Sequence, residues 1–198
     1  METEKTTKQA LRTRLRAQAK TFEAEYLTRS DAAIEALLFA LPEWSAAQSV
    51  FLYLSMGTEP ETRGIFKRAI AGGKRVGVPR CLGSGVMESR AVATLEGLTP
   101  GAFGILEPGE TAPLLEAAAF DLVVAPCVAV DRNGFRLGNG GGYYDRFLPQ
   151  ARCPVVCLCR GRLLQPEVPR EPFDVPVGIV LTEDGVIRPQ DGRAACIL

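Results

Sequence analysis

Between Arg136 and Leu148 the chain reads RLGNGGGYYDRFL, and four of these thirteen residues are glycine. Glycine at that density weakens helix and strand alike, so the segment serves a purpose that side chains would obstruct. The neighbouring residue types suggest one. Backbone N–H groups of a glycine-rich turn ahead of a helix form a concavity for anions, phosphate above all. Arg136 adds a planar guanidinium suited to phosphate oxygens, and Asp145 a carboxylate suited to a magnesium ion bridging them. The common phosphate-loop patterns do not apply. GGKR lacks the upstream glycine and following Ser/Thr of a Walker A loop, and GNGGGY lacks the last glycine of a dinucleotide fingerprint. These residues point to a phosphorylated ligand with magnesium and stop short of a reaction. The alternative is a plain turn with tyrosines that only pack.

Other chemistries are limited by what is missing. The chain has no histidine, so Ser-His and Cys-His nucleophile pairs are excluded. Acid–base work falls to carboxylates, lysine, tyrosine or water. The six cysteines are Cys81, Cys127, Cys153, Cys157, Cys159 and Cys196. CPVVCLC does not follow a standard zinc spacing and reads as a buried strand in which cysteine acts as a small hydrophobe. Cys81 directly follows Arg80, a cation that would lower a thiol's pKa if the two met.

The elements that position these residues follow from apolar periodicity. With 198 residues, 46% of them hydrophobic, the chain suits one domain spanning 1–198. Lysine plus arginine equal aspartate plus glutamate at 23 each, which gives no general attraction to nucleic acid or anionic membrane. No apolar run is long enough to span a bilayer, and the charged N-terminus does not resemble a signal peptide. A cytoplasmic monomer acting on a small molecule is expected.

Leu11, Leu15 and Phe22 predict a helix over residues 5–28, with Lys5, Lys8, Arg12 and Arg16 on another face. Such a stripe by itself reads as a solvated face. A second helix is expected to start with Ser30 or Asp31 as N-cap and run to about Ala40. SVFLYLS reads as a buried strand, and TEPETRGIFKRAIAGG as a helix opened by a Thr58/Glu61 capping box. KRVGVPR follows as a strand, so the middle begins as a parallel βαβ unit. Another strand is expected over Val86–Ala93. FDLVVAPCVAVD predicts a central strand covered on both faces, and YYDRFLPQ a helix ended by Pro149. VGIVLT and GVIRP read as strands joined by the turn EDG. Together they predict an α/β class fold: a three-layer α/β/α sandwich around a mostly parallel, Rossmann-like sheet. Trp44 reads as core packing.

The run VVAPCVAVDRNGFRLGNGGGYYDRFL closely resembles the signature of the 5-formyltetrahydrofolate cyclo-ligase (methenyltetrahydrofolate synthetase) family. KQALR, FLYLSMGTEPET, GKRVGVPR, FGILEP and FDVPVGIVLTEDG follow in the family's order, so the resemblance covers nearly the whole chain. It implies a reaction in which ATP and magnesium drive cyclisation of 5-formyltetrahydrofolate to 5,10-methenyltetrahydrofolate, releasing ADP and phosphate. The formyl oxygen is phosphorylated, the folate's N10 attacks the activated carbon, and phosphate leaves. The nucleophile belongs to the substrate, which suits a chain without histidine.

By this resemblance Lys8 and Arg12 reach the ATP phosphates. Arg136 and the run Gly138, Asn139, Gly140, Gly141, Gly142, Tyr143 and Tyr144 form the phosphate loop, and Asp145 is linked to the metal. Met56 and Glu59 face the folate, with Tyr143 and Tyr144 beside the substrates. Arg136, Tyr144 and Asp145 are the catalytic candidates. Glu61 reads better as a helix cap. Arg80 reads equally as an anion contact and as a surface charge. The chain departs from many relatives at Phe173 and Gly178, where they carry a histidine and an aspartate, and at Gly141, where some carry lysine. Two alternatives stand beside the cyclo-ligase: a catalytically weak relative that binds folate or nucleotide, and an ATP-dependent enzyme for another small molecule.

Overall fold

A helix that lies on one face of a sheet cannot continue onto the other face without a break, and this governs the first forty residues. The computed structural model describes residues 2–172 and 174–190. In chain order the elements are α1 (Glu2–Ala19), α2 (Ala24–Phe39), α3 (Pro42–Ala46), β1 (Ser49–Leu52), α4 (Arg63–Ala71), β2 (Arg75–Gly83), β3 (Val86–Val92), β4 (Thr99–Pro100), β5 (Leu106–Glu107), β6 (Leu114–Leu115), β7 (Leu122–Ala125), β8 (Ala129–Asp131), β9 (Arg136–Leu137), α5 (Tyr143–Phe147), β10 (Val155–Leu158), β11 (Leu164–Gln165), β12 (Ile179–Thr182) and β13 (Gly185–Ile187).

The main sheet has eight strands in the order β13-β12-β10-β7-β1-β2-β3-β6. Its centre is parallel from β12 to β2, and antiparallel pairs flank it on both sides. Side chains alternate along each strand, and the two faces carry separate cores. Phe51, Val123, Ala125, Cys157 and Val180 point to one core, shared with Leu15 and Ala19 of α1 and with Phe147 of α5. Val50, Leu52, Leu122, Val124, Val156, Leu158, Ile179 and Leu181 point to the other, shared with Ile34 and Leu38 of α2, Trp44 of α3, and Ile65 and Phe66 of α4. This is the expected three-layer sandwich, and Trp44 is core as expected.

The expected helix over 5–28 therefore breaks. α1 ends at Ala19, and α2 begins after Glu23, an extended N-cap, because α1 and α2 cover opposite faces of the sheet. Ser30 and Asp31 do not cap α2; they lie inside it. Ser30 Oγ donates to Glu183 at 3.0 Å, and Asp31 pairs with Arg160 at 2.9 Å.

The Thr58/Glu61 capping box also does not form. α4 begins at Arg63 with Thr62 as N-cap and no side-chain cap bond. Residues 58–60 are held out of helix by tertiary bonds: the Tyr53 hydroxyl donates to Pro60 O at 2.8 Å, and Arg160 Nε to Thr58 O at 2.8 Å. Glu61 still serves the helix start, accepting from the N–H groups of Thr62 and Arg63 at 2.9 and 2.8 Å.

FDLVVAPCVAVD is two strands. β7 is fully buried at the sheet centre, between β1 and β10. Pro126 has no N–H for a ladder, and beyond it the chain leaves the main sheet. β8 joins a three-stranded sheet with β9 and β11. β10 is buried, and Cys157 and Cys159 are core residues. No cluster of three or more His, Cys, Asp or Glu suited to a metal occurs among the described residues. Cys196 and Phe173 lie outside the described residues. No helix among the described residues is long and apolar enough to cross a membrane.

Candidate active site

In an open parallel sheet, ligands bind beyond the carboxyl ends of the strands. Here a cavity of about 610 Å³ lies there. Tyr53, Leu54, Met56 and Glu59 reach it from the segment after β1, Pro79 and Cys81 from β2, and Pro126 and Cys127 from the break after β7. Arg136, residues 138–142, Tyr143, Tyr144 and Asp145 close another side, with Arg16 of α1. The break at Pro126 thus opens the space that the glycine segment walls.

The glycine segment depends on its lack of side chains. Gly140 has φ +96° and Gly142 φ +71°, a region that L-residues occupy only with strain. A Cβ on Gly141 would stand 2.7 Å from the Tyr143 ring. α5 is only five residues long, with Pro149 inside a following 3₁₀ turn. It ends earlier than expected, and so short a helix supplies little macrodipole.

Positive charge at the loop comes instead from arginines. Arg12 Nε donates to Gly138 O at 2.8 Å, and Arg16 donates to Asn139 Oδ1 at 2.7 Å. Two members of the α1 stripe, Arg12 and Arg16, thus lie against the loop. Burial, then the charge of Arg16, holds Arg12 below its ordinary pKa, as expected of cations gathered with too few anions. Lys8 is set apart from the cavity lining, in ion pairs with Asp174 at 2.5 Å and Glu171 at 3.0 Å. Burial lowers its pKa, and the two carboxylates raise it by more. The Lys5 side chain lies outside the described residues.

At the cavity wall Arg136, its side chain 5% exposed, pairs with Asp145 Oδ1 at 2.6 Å. Its guanidinium lies 5.4 Å from the centre of the Tyr144 ring. Buried donors almost always find a partner, yet Arg136 Nε and the Tyr144 hydroxyl have none among the described residues. Each unsatisfied group costs about 1–3 kcal/mol, a cost that a ligand's acceptors would remove. Burial, then the charge of Glu59, pushes the Tyr144 phenol far above its usual range, so it remains a proton donor.

Glu59 accepts from Met56 N–H at 2.9 Å. Burial raises its carboxyl above the usual range, and the bonds from Met56 and Asn139 offset this only in part. Arg80 does not lower the Cys81 thiol, although the two are adjacent in sequence. Burial and the neighbouring Glu107 push its thiol up to about 12, while Arg80 is engaged by Glu88 and Glu110 at 3.2 and 2.7 Å. Those pairs make Arg80 a paired charge.

Sequence reasoning missed Phe103, which lines the cavity. It is 71% exposed, holds a left-handed φ of 62°, and faces the Tyr143 ring with centroids 6.1 Å apart. The signal was its place between Gly101 and Gly104. Arg16 was visible as part of the stripe but was not assigned to the site.

The sequence model of the 5-formyltetrahydrofolate cyclo-ligase family matches residues 4–183. The chain belongs to this family. It is 34% identical to the "probable 5-formyltetrahydrofolate cyclo-ligase" of Schizosaccharomyces pombe, over 75% of this chain and 81% of that one. It is 32% identical to the 5-formyltetrahydrofolate cyclo-ligase of Mycolicibacterium smegmatis, over 69% and 74%. The NMR structure of 5,10-methenyltetrahydrofolate synthetase from Aquifex aeolicus superposes with a TM-score of 0.83 at 30% identity, covering 94% of this chain and 95% of that one. A cyclo-ligase is a C–N bond-forming enzyme, and the site is one a ligase of this family can use: a cationic loop at one end and a largely apolar wall at the other.

Proposed function

We propose that the site binds 5-formyltetrahydrofolate beside ATP and magnesium and closes the folate to 5,10-methenyltetrahydrofolate, releasing ADP and phosphate. The observation that carries this reading is the pair of buried, partnerless donors on Arg136 and Tyr144 next to a glycine cradle under Arg12 and Arg16. Those features fit an anionic group, and Asp145 offers a carboxylate for a magnesium ion at the same place. Bound magnesium–ATP would supply the phosphoryl group that turns the formyl oxygen into a leaving group.

The chain's own residues bind, orient and shield. Arg12, Arg16, Arg136 and the N–H groups of the loop would hold the phosphates and neutralise developing charge, the main task in phosphoryl transfer. Asp145, now fixed by Arg136, would hold the metal. The Tyr144 hydroxyl would donate a hydrogen bond to the ligand and keep its proton. Met56 and Glu59 would hold the folate, with the Glu59 carboxyl oriented by the Met56 N–H. Tyr53, Leu54, Phe103 and Ile105 form the apolar wall, which would shield the reacting groups from water. Lys8, paired here with Glu171 and Asp174, would exchange those carboxylates for the phosphates.

Heavy oxygen placed in the formyl group tests the chemistry. It should appear in the released phosphate; its retention in bulk water alone would contradict phosphorylation at the formyl oxygen.

A further inference from the structure

We infer that Arg160 is a positioning residue that fastens the Met56–Glu59 loop to α2 and so sets the affinity for the folate without touching it. This rests on the proposed placement of the folate beside Glu59. Arg160 lies two residues beyond the end of β10 and is 2% exposed. Its donors divide between two segments. Nε donates to Thr58 O at 2.8 Å and an Nη to Glu59 O at 3.0 Å. On the α2 side it donates to Leu27 O at 3.3 Å and pairs with Asp31 at 2.9 Å. Asp31 also accepts the N–H of Glu61 at 3.0 Å, so the same carboxylate ties down the far end of the loop.

A buried cation is costly, and an apolar side chain often fills such a place at no loss of stability. What an apolar residue cannot do is hold several backbone carbonyls of two segments at once. The planar fork of arginine does this, and the single ammonium of lysine does not. The loop has little packing of its own at its bend: Gly57 has φ +57°, and a Cβ there would meet nothing within 4 Å among the described residues. A second cavity of about 400 Å³ lies against the loop, lined by Arg160 and Asp31 and sharing Met56 and Glu59 with the first. The clamp therefore spans space that side chains leave open.

The test compares wild type, Arg160→Lys and Asp31→Asn by steady-state kinetics with 5-formyltetrahydrofolate and ATP, and by hydrogen exchange of the amides from Met56 to Glu59. In Arg160→Lys the KM for the folate should rise roughly tenfold or more, with the KM for ATP nearly unchanged and exchange in the loop faster. Asp31→Asn keeps the arginine and its three backbone bonds; it should show the same split, smaller, even if Arg160→Lys fails to fold. An equal rise in both KM values, or an unchanged folate KM in a folded variant, would overturn the inference. If wild type does not use the folate, the proposed function fails instead. The clamp is then judged by exchange alone, and a loop equally protected in the variants would refute it.

Discussion

Replacing Gly140 by alanine tests the phosphate cradle with little new contact. Its φ of +96° lies where an L-residue is strained, at about 1–2 kcal/mol. The added Cβ would stand 3.4 Å from Arg12 Cζ, ordinary contact, so the penalty is backbone strain. If the loop relaxes away from its competent shape to relieve it, nucleotide affinity falls by roughly 5- to 30-fold, at about 1.4 kcal/mol per decade. Gly140→Val should do worse, because its branches meet the guanidinium. Gly73 provides the control: its φ is +76°, and a Cβ there meets nothing within 4 Å. Gly73→Ala should lower the melting temperature by a few degrees, at about 2–4 °C per kcal/mol for a chain of this size, and leave nucleotide binding alone. Titration calorimetry with a non-hydrolysable ATP analogue and magnesium reads the difference. Wild-type affinity in Gly140→Val would refute the cradle.

Three further outcomes are expected. Asp145→Asn should lower magnesium-dependent turnover on the order of 10²-fold, far out of proportion to the fall in melting temperature that weakening its pair with buried Arg136 brings; normal rates at ordinary magnesium would remove the metal assignment. Glu59, with its carboxyl raised by burial above the ordinary 4.5, favours the folded state most below that value and loses this contribution as pH rises through the raised one. Glu59→Gln should thus gain stability over wild type with rising pH and then level off, and a flat difference in melting temperature across pH would contradict the burial. Cys81, pushed up to about 12, should react slowly with iodoacetamide at neutral pH, and peptide mapping that found it rapidly alkylated would show a different environment.

What was legible in the sequence was local. β1, α4 and β2 announce themselves through an apolar run, a helical period and a closing glycine pair. The glycine segment stands out because its composition suits no regular element. The break between α1 and α2 was hidden because helical propensity continues through residues 20–23; the break comes from the need to cover both faces of the sheet. The cap at Thr58 failed for a similar reason, since Arg160, from far along the chain, and Tyr53 hold that stretch in a non-helical turn. Pairing decides the remaining differences. Lys8, Arg80 and Cys81 acquire carboxylate neighbours that sequence adjacency does not reveal. Arg160 carries no motif, and its role appears only when β10, α2 and the loop after β1 come together.

The most direct test of the proposed activity is the near-ultraviolet absorbance of purified protein incubated with 5-formyltetrahydrofolate, ATP and magnesium, since the methenyl product absorbs there and the substrate does not. A rise that requires both ATP and magnesium is the predicted result. No rise from a folded protein, or a rise without ATP, would contradict it.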